Sequence, residues 1–105
     1  MKSHGKLIIL KVDDVDWFES AGDYVNLHVR GEKHMIRETM NIIEKKLNPV
    51  RFMRIHRSTI VNVDRVRELE PMFQGQYIVR LRDGTRLTAS RSYKKQIDSL
   101  LSKSL

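Results

Sequence analysis

The chain has 105 residues, a net charge of +7 at pH 7 and no cysteine. This length is typical of one domain with a modest core, and the lack of thiols excludes disulfides, a cysteine nucleophile and cysteine-ligated zinc. No apolar run approaches the roughly 18 residues of a membrane span, and residues 7–10 are too few for a signal-peptide core. We therefore expect one cytoplasmic domain over residues 1–105, with no membrane segment and a core spanning residues 7–101.

The excess positive charge lies in the second half of the chain. Residues 1–50 hold eight Lys/Arg and eight Asp/Glu, whereas residues 51–105 hold twelve Lys/Arg and five Asp/Glu. Nine of those twelve cations are arginines, whose planar fork of donors suits phosphate and guanine. The asymmetry favours a polyanion partner over a merely solvated basic surface.

Short strands dominate the first part of the chain. The candidates are residues 7–10, 15–18, 24–29 and 33–37. In the third candidate, Val25, Leu27 and Val29 alternate with Tyr, Asn and His, which is the period of a strand with one buried face. Gly31-Glu32 predicts the turn that follows it.

The middle of the chain predicts a short helix and then more strands. Met40, Ile43 and Leu47 recur at helical spacing, and Asn48-Pro49 would end that helix. Further strands are expected near residues 60–63, 66–70 and 76–82. The pattern as a whole indicates a mainly β domain with one short mid-chain helix and a C-terminal helix.

The most informative segment covers residues 51–62. It places cationic and hydroxyl side chains between apolar residues that are able to anchor them. Clustered donors suit phosphates and base edges, so this segment resembles a contact loop more than a buried strand. The polar residues concerned are Arg54, His56, Arg57, Ser58 and Thr59.

The sequence around Asp83-Gly84 predicts a hairpin. A three-residue loop that begins at Asp83 would pair Leu81 with Leu87 and keep the apolar face of both strands intact. It would also set Arg82 opposite Arg86, and like charges across a strand pair repel each other. Either solvent screens these charges or an anion lies nearby, and the sequence leaves both options open.

The last element reads as an amphipathic helix. Its apolar stripe consists of Tyr93, Ile97, Leu100 and Leu101. Ser90 or Ser92 is the predicted N-cap. Arg91, Lys94 and Lys95 gather at the start of the helix, although cations there oppose the helix dipole. Free N–H groups together with cations favour a phosphate site.

The histidines do not suggest an enzyme or a metal site. They are His4, His28, His34 and His56. None of them shows metal-ligand spacing or a paired carboxylate pattern that would serve acid–base chemistry. We therefore expect no catalytic residue, no metal ligand and no cofactor.

Several motifs occur in the order seen in one known family. They occupy residues 17–20, 23–25, 52–58, 60–62, 83–84 and 90–93. In these motifs the chain resembles a LytTR domain, the DNA-binding output module of bacterial LytR/AlgR/AgrA-type response regulators. The most specific motif is Phe-x-Arg-x-His-Arg-Ser followed by Val-Asn.

The resemblance implies an elongated sandwich of small β-sheets with short helices attached. It also implies that loops, rather than a recognition helix, enter successive major grooves on one side of duplex DNA. Carried over by position, these loops are residues 21–26, 56–59 and 90–95. The predicted DNA-binding residues are Asp23, Tyr24, Asn26, Arg57, Ser58, Arg91, Ser92, Lys94 and Lys95.

Side-chain chemistry divides the predicted roles. Arg57 and Arg91 suit bidentate contact with guanine, whereas the serines and lysines of the loops suit phosphates. Asp23 is able to accept from cytosine N4, but an Asx-turn that holds its loop is favoured. Tyr24 and Asn26 are weaker candidates for contact.

Three further residues are expected to be structural. Arg54 and His56 would bond neighbouring backbone and so shape the loop that carries Arg57. Asn62 would cap the turn that follows it. None of the three is expected to touch DNA directly.

The expected partner is double-stranded DNA, bound by a bacterial transcription regulator. Members of the family usually carry a receiver or sensor domain ahead of this module, and they bind paired direct repeats, which implies a homodimer on DNA. The alternatives are a basic β-domain that binds single-stranded RNA and a protein-interaction module. Base stacking needs exposed rings, whereas Trp17, Phe18, Phe52 and Phe73 read mostly as core.

Overall fold

The computed structural model describes residues 2–3, 6–7 and 9–103. Its strands in the first two-thirds of the chain are β1 (Lys2–Ser3), β2 (Lys6–Leu7), β3 (Trp17–Ala21), β4 (Tyr24–Val29), β5 (Glu32–Ile36), β6 (Phe52–His56) and β7 (Thr59–Asn62). Within the described residues, β1 and β2 pair with each other and with no other strand. The other five form one antiparallel sheet in the order β5-β4-β3-β7-β6.

A second antiparallel sheet follows in the chain. It consists of β8 (Val66–Pro71), β9 (Tyr77–Leu81) and β10 (Arg86–Ala89), in the order β10-β9-β8. Two α-helices complete the fold, α1 (Met40–Lys46) and α2 (Lys94–Ser102). Short 3-10 turns occupy Val12–Asp14, Val63–Arg65 and Arg91–Tyr93.

The five-stranded sheet separates two apolar clusters. Phe18 and Val25 lie in the cluster on one face, which α1 covers. Ile55 and Val61 lie in the cluster on the other face, together with residues of β9, β10 and α2 such as Ile97. The molecule measures 45 × 24 × 22 Å. The predicted fold class, small β-sheets in an elongated sandwich with two short helices, is confirmed.

The strongest local patterns fold as predicted. β4 has the predicted bounds, and Val25, Leu27 and Val29 are all buried in one core. The turn after it is centred one residue earlier than expected, on Arg30-Gly31, with φ angles of +52° and +80°. Glycine adopts such positive φ angles without steric cost, which explains its place in the turn.

Helix α1 also forms where its apolar spacing predicts it. The Thr39 hydroxyl accepts a hydrogen bond from the Ile42 N–H at 3.2 Å and caps the first turn. Met40 and Ile43 are buried, and the helix ends before Asn48-Pro49.

The predicted strand at residues 7–10 is wrong. Leu7 ends β2, Ile8 lies outside the described residues, and residues 9–10 have no regular structure. Leu10 instead packs on the first core from an irregular segment. The strand predicted at residues 15–18 begins at Trp17, because a 3-10 turn ends just before Val15.

The register predicted for the β9–β10 hairpin is also wrong. Leu87 pairs with Val79 rather than with Leu81, and Ala89 pairs with Tyr77. The loop has three residues, but it begins at Arg82, and Gly84 closes it with a φ of +92°. A shift of two residues leaves every side chain on its original face, so the apolar pattern could not distinguish the two registers.

The repulsion expected within this hairpin is relieved by a carboxylate. Arg86 faces Arg80 rather than Arg82. The Arg80 guanidinium lies 2.8 Å from Glu70 Oε1, which β8 supplies. Of the two options that the sequence left open, solvent screening and a nearby anion, the structure shows the second, and the anion is the Glu70 carboxylate.

Asn62 joins the end of β7 to the segment before β3. Its side chain is 1% exposed, and its amide donates to the carbonyl oxygens of Val15 at 2.9 Å and Asp13 at 3.2 Å. Its Oδ1 accepts from the Asp64 N–H at 3.1 Å, which caps the 3-10 turn as predicted. One amide thus satisfies three backbone groups.

We expect Asn62→Ala to lower the free energy of unfolding by about 3 kcal/mol, because it leaves buried backbone groups without partners. Urea denaturation followed by circular dichroism measures the change. The control is Asn48→Ala, which removes a single exposed hydrogen bond to Val50 N–H and should cost about 1 kcal/mol. Equal losses in the two variants would contradict the role given to Asn62.

Candidate nucleic-acid interface

Three of the connections lie in a row at one end of the five-stranded sheet, where its strands end. The turns β3–β4 and β6–β7 reach the same edge because β3 and β7 are antiparallel neighbours. The Ser20 N–H donates to the Ser58 carbonyl oxygen at 2.9 Å, and the Ser90 N–H donates to the Ile55 carbonyl oxygen at 2.8 Å. These bonds bring the three loops predicted from the sequence together. We call residues 22–24, 57–58 and 90–95 the loop rim.

Residues 51–62 form a hairpin rather than the contact loop expected from their polarity. Ile55 and Val61 anchor β6 and β7 in one core, and Phe52 and Ile60 anchor them in the other. The strands β6 and β7 therefore include most of this segment, and Thr59 is buried within β7. The residues left in the turn are 57 and 58.

Arg54 holds this turn from beneath. Its side chain is only 9% exposed. Its guanidinium donates to the carbonyl oxygens of His56, at 3.3 Å, and of Arg57. It also donates to Asn41 Oδ1 at 2.6 Å and to Glu44 Oε1 at 3.0 Å on α1. The predicted structural role of Arg54 is confirmed, whereas its anchors on α1 were not foreseen.

His56 fixes the other half of the turn. Its Nδ1 accepts a hydrogen bond from the Ser58 N–H at 3.1 Å, and the Ser58 hydroxyl lies 2.9 Å from the same nitrogen. The expected loop-shaping role of His56 is confirmed. With the backbone held at both residues, Arg57 is exposed on the rim and Ser58 is half-buried beside it.

The β3–β4 turn presents two of its three predicted contacts. Gly22, with a φ of +60°, and Asp23 form its tip, and Asp23 and Tyr24 are exposed. Among the residues that the structure describes, no group donates to the Asp23 carboxylate. The favoured Asx-turn is therefore absent, and the turn depends on Gly22 instead.

Asn26 lies inside the sheet rather than on the rim. It is 6% exposed, and its amide donates to Glu19 Oε1 at 3.2 Å. His28 Nε2 lies 3.0 Å from the same oxygen. Burial alone would raise the pKa of Glu19, but the bonds from His28 and Asn26 outweigh it and lower the pKa below its usual value. This placement does not favour the predicted contact of Asn26 with DNA.

The segment before α2 places its cations on the surface. The Ser90 hydroxyl accepts from the Ser92 N–H at 3.2 Å and caps the 3-10 turn Arg91–Tyr93. The prediction that Ser90 or Ser92 caps the last helix is wrong, because α2 begins after Tyr93, which gives it no side-chain cap. Arg91, Ser92, Lys94 and Lys95 are all exposed. α2 is fixed behind them by Ile97 and Leu100, which are buried in the second core.

Carboxylates neutralise most arginines away from the rim. The ion pairs are Arg30–Asp14, Arg51–Asp13, Arg54–Glu44, Arg65–Asp16, Arg67–Glu68 and Arg80–Glu70. Within the described part of the chain, the arginines without a carboxylate partner are Arg37, Arg57, Arg82, Arg86 and Arg91. Three of these five lie on or beside the rim, where Lys94 and Lys95 add to their charge. The rim is therefore a surface of uncompensated positive charge.

Two neighbours of the rim were missed by the sequence analysis. Arg37 is exposed and lines a shallow depression together with Gly22 and Asp23. At the other end, a Cβ added to Gly75 would lie 3.3 Å from the Arg91 Cβ, so the β8–β9 turn adjoins Arg91. Neither contact is local in sequence, although the position of Arg37 just after β5 could have suggested the first.

Other kinds of site find no support in the described ranges. None of their helices is long and apolar enough to cross a membrane. No group of three or more His, Asp or Glu side chains there is arranged to hold a metal ion.

We expect Arg54→Lys to lower the free energy of unfolding by about 1.5 kcal/mol, because a single ammonium group cannot bond two backbone carbonyls and two side chains of α1. The matched control is Arg67→Lys, in an exposed pair with Glu68, which should change stability by less than about 0.5 kcal/mol. Urea denaturation measures both. Indistinguishable midpoints would contradict the bracing role of Arg54.

The fold is a small sandwich of antiparallel sheets, with a basic row of turns where the strands of the larger sheet end. Residues 5–102 match the LytTr DNA-binding domain family, and the chain belongs to that family. The fold is also that of a solved structure, the LytTr DNA-binding domain of a putative methyl-accepting/DNA response regulator from Bacillus cereus. The TM-score is 0.85, at 23% identity, over 95% of this chain and 92% of that one.

Curated relatives extend well beyond the length of this chain. The chain is 30% identical over 95 residues to the sensory transduction protein LytT of Bacillus subtilis, and this alignment covers 90% of the chain and 39% of the relative. It is 32% identical over 90 residues to the transcriptional regulatory protein LytR of Staphylococcus aureus, with 86% and 37% covered. The chain thus spans about two-fifths of the length of these relatives.

Proposed function

We propose that the chain reads duplex DNA by sequence, as the output domain of a bacterial transcription regulator, and that the loop rim is the reading surface. The observation that carries this proposal is the uncompensated charge of the rim: Arg57, Arg91, Lys94 and Lys95 are exposed and without carboxylate partners in the described structure. Such a surface attracts the phosphate backbone, and its arginines suit base edges. A row of turns along one edge suits one side of a duplex and successive major grooves.

The residues of the rim divide into base readers and phosphate binders. Arg57 and Arg91 are the proposed contacts with guanine O6 and N7, because each guanidinium is exposed and uncommitted. Ser58, Ser92 and the two lysines bind phosphates and set the register. The guanidinium of Arg54 makes four hydrogen bonds within the fold and acts through the turn.

The β3–β4 turn adds a third contact. The Asp23 carboxylate receives no hydrogen bond from the described residues, which leaves it able to accept from cytosine N4. Arg37 beside it offsets the repulsion between this carboxylate and phosphates. Tyr24 is exposed at the start of β4, next to Asp23, and is the other proposed contact of this turn. Asn26 supports the sheet through Glu19 rather than meeting the DNA.

The rest of the assembly is proposed from the family and from the length of the relatives. A receiver or sensor domain would precede this module in a longer protein, since the relatives extend well beyond the matched region. Two copies would bind paired direct repeats as a homodimer on DNA in the bacterial cytoplasm.

The main alternative is binding of single-stranded RNA. Its stacking platform would need several exposed rings on one face. Phe18 and Phe52 are buried against each other, and Trp17 stacks on His28 at 3.8 Å between ring centroids. The large exposed rings of the described residues are Tyr24 and Phe73, which lie at opposite ends of the row of turns and so do not form one stacking platform. This arrangement favours duplex DNA. Tighter binding to single-stranded RNA than to a selected duplex would reverse the preference.

We expect Arg91→Ala to reduce discrimination between a selected duplex and random DNA by about tenfold or more, because a bidentate guanine contact contributes about 1–3 kcal/mol. Lys95→Ala should weaken both duplexes by similar factors and reduce the log–log salt slope by about 0.9. Fluorescence anisotropy over a range of salt concentrations measures both effects.

The control for this pair is Arg86→Ala, which removes an exposed arginine without a carboxylate partner from the outer face of β10. It should leave both affinities and the salt slope close to those of the wild type. If Arg91→Ala and Lys95→Ala lower specific and random binding by the same factor, Arg91 does not read bases. If Arg86→Ala weakens binding as much as Lys95→Ala, the DNA surface is not confined to the rim and the proposed reading surface is wrong as drawn.

A further inference from the structure

Phe73 is an aromatic side chain that nothing in the described structure covers. The sequence predicted it as core, yet it is 84% exposed at the turn between β8 and β9. The neighbouring Met72 is also exposed. An exposed ring at a hairpin tip suggests a partner that is absent from the isolated chain.

The turn that carries Phe73 is ordered by its own backbone. The Gln76 N–H donates to the Phe73 carbonyl oxygen at 3.1 Å, and the Met72 N–H donates to the Gln76 carbonyl oxygen at 2.7 Å. Gln74 has a φ of +57°, which non-glycine residues seldom adopt, and Gly75 follows with +80°. The ring is thus presented from a defined turn, and little ordering is needed when it meets a partner.

The position of this turn identifies the partner. Gly75 packs against Arg91, since a Cβ on it would lie 3.3 Å from the Arg91 Cβ. The turn is therefore the next in the row after residues 90–95, beside an arginine proposed to enter a major groove. The nearest carboxylate along the chain, Glu70, is paired with Arg80 at 2.8 Å and leaves little uncompensated negative charge to oppose DNA.

An apolar group beside a base-reading arginine has one matching target in the major groove. The C5-methyl group of thymine is the apolar feature that a base pair shows there, and aromatic side chains are suited to contact it. We propose that Phe73 contacts the methyl group of a thymine next to the base read by Arg91, and so adds a preference for thymine. This inference rests on the proposed function and assigns the rim a fourth turn.

The test uses a duplex selected from random DNA by the wild-type chain, with each thymine replaced in turn by deoxyuridine. This replacement removes only the methyl group and keeps the pairing edges. For the wild type we expect one position at which uracil weakens binding about fourfold, the effect of one buried methyl group. Phe73→Ala should bind the thymine duplex about tenfold more weakly and should not distinguish thymine from uracil at that position.

Two further variants sharpen the result. Phe73→Leu keeps an apolar side chain and should retain part of the thymine preference. Val50→Ala removes an apolar side chain that is exposed elsewhere and should retain all of it. Because Phe73 and Val50 are exposed, circular dichroism melts should show all variants folded.

The outcomes separate this inference from the proposed function. If Phe73→Ala keeps the full thymine preference at every position while Arg91→Ala loses specificity, the methyl contact is overturned and the rim stands. If Phe73→Ala leaves DNA binding unchanged but reduces self-association in sedimentation, the ring contacts a second copy of the chain rather than DNA, and the inference is overturned. If the wild type prefers no duplex over random DNA, both proposals fail.

Discussion

The guanidinium of Arg54 links the β6–β7 turn directly to α1 and to the strand that carries both cores. It bonds the carbonyl oxygens of the β6–β7 turn, the side chains of Asn41 and Glu44 on α1, and through β6 it is fixed to both cores. A nearly buried charge is tolerated only when its donors are satisfied. Arg54 meets that condition by donating hydrogen bonds to the backbone of the turn. The turn must therefore keep its shape for the donors of Arg54 to have partners. Arg57 and Ser58 take their positions from it.

Charge compensation divides the remaining arginines by task. Those paired with carboxylates stabilise the sheets, as Arg80 does when Glu70 relieves its repulsion with Arg86. The arginines of the rim lack such partners in the described structure, and we propose that they pair with an external anion instead. A net charge of +7 alone would not locate a binding surface, because several cations lie elsewhere. The pairing pattern supports the proposal that this surface is the loop rim.

The sequence predicted features that depend on short-range chemistry. The alternation in β4, the spacing in α1 and the cap at Asn62 each involve neighbours within a few residues, and all three are found in the structure. Features that depend on tertiary contacts were missed. The predicted register of β9 and β10 is wrong because a two-residue shift keeps every side chain on the same face of the sheet. The prediction that Phe73 lies in the core is wrong because its apolar side chain does not reveal whether other residues cover it. Strand alternation likewise does not reveal that the buried Asn26 amide donates to Glu19.

We propose that one row of turns, rather than a helix or a sheet face, meets the DNA. The most direct test of this proposal is a titration of the ¹⁵N-labelled chain with a selected duplex, followed by amide chemical shifts. We expect the largest changes at residues 22–24, 57–58 and 90–95. The Arg30-Gly31 turn and the Val63–Arg65 3-10 turn, at the opposite ends of β4 and β7, should change little. If the largest shift changes fall at those opposite turns and the rim is unperturbed, the proposal that the rim meets the DNA is contradicted.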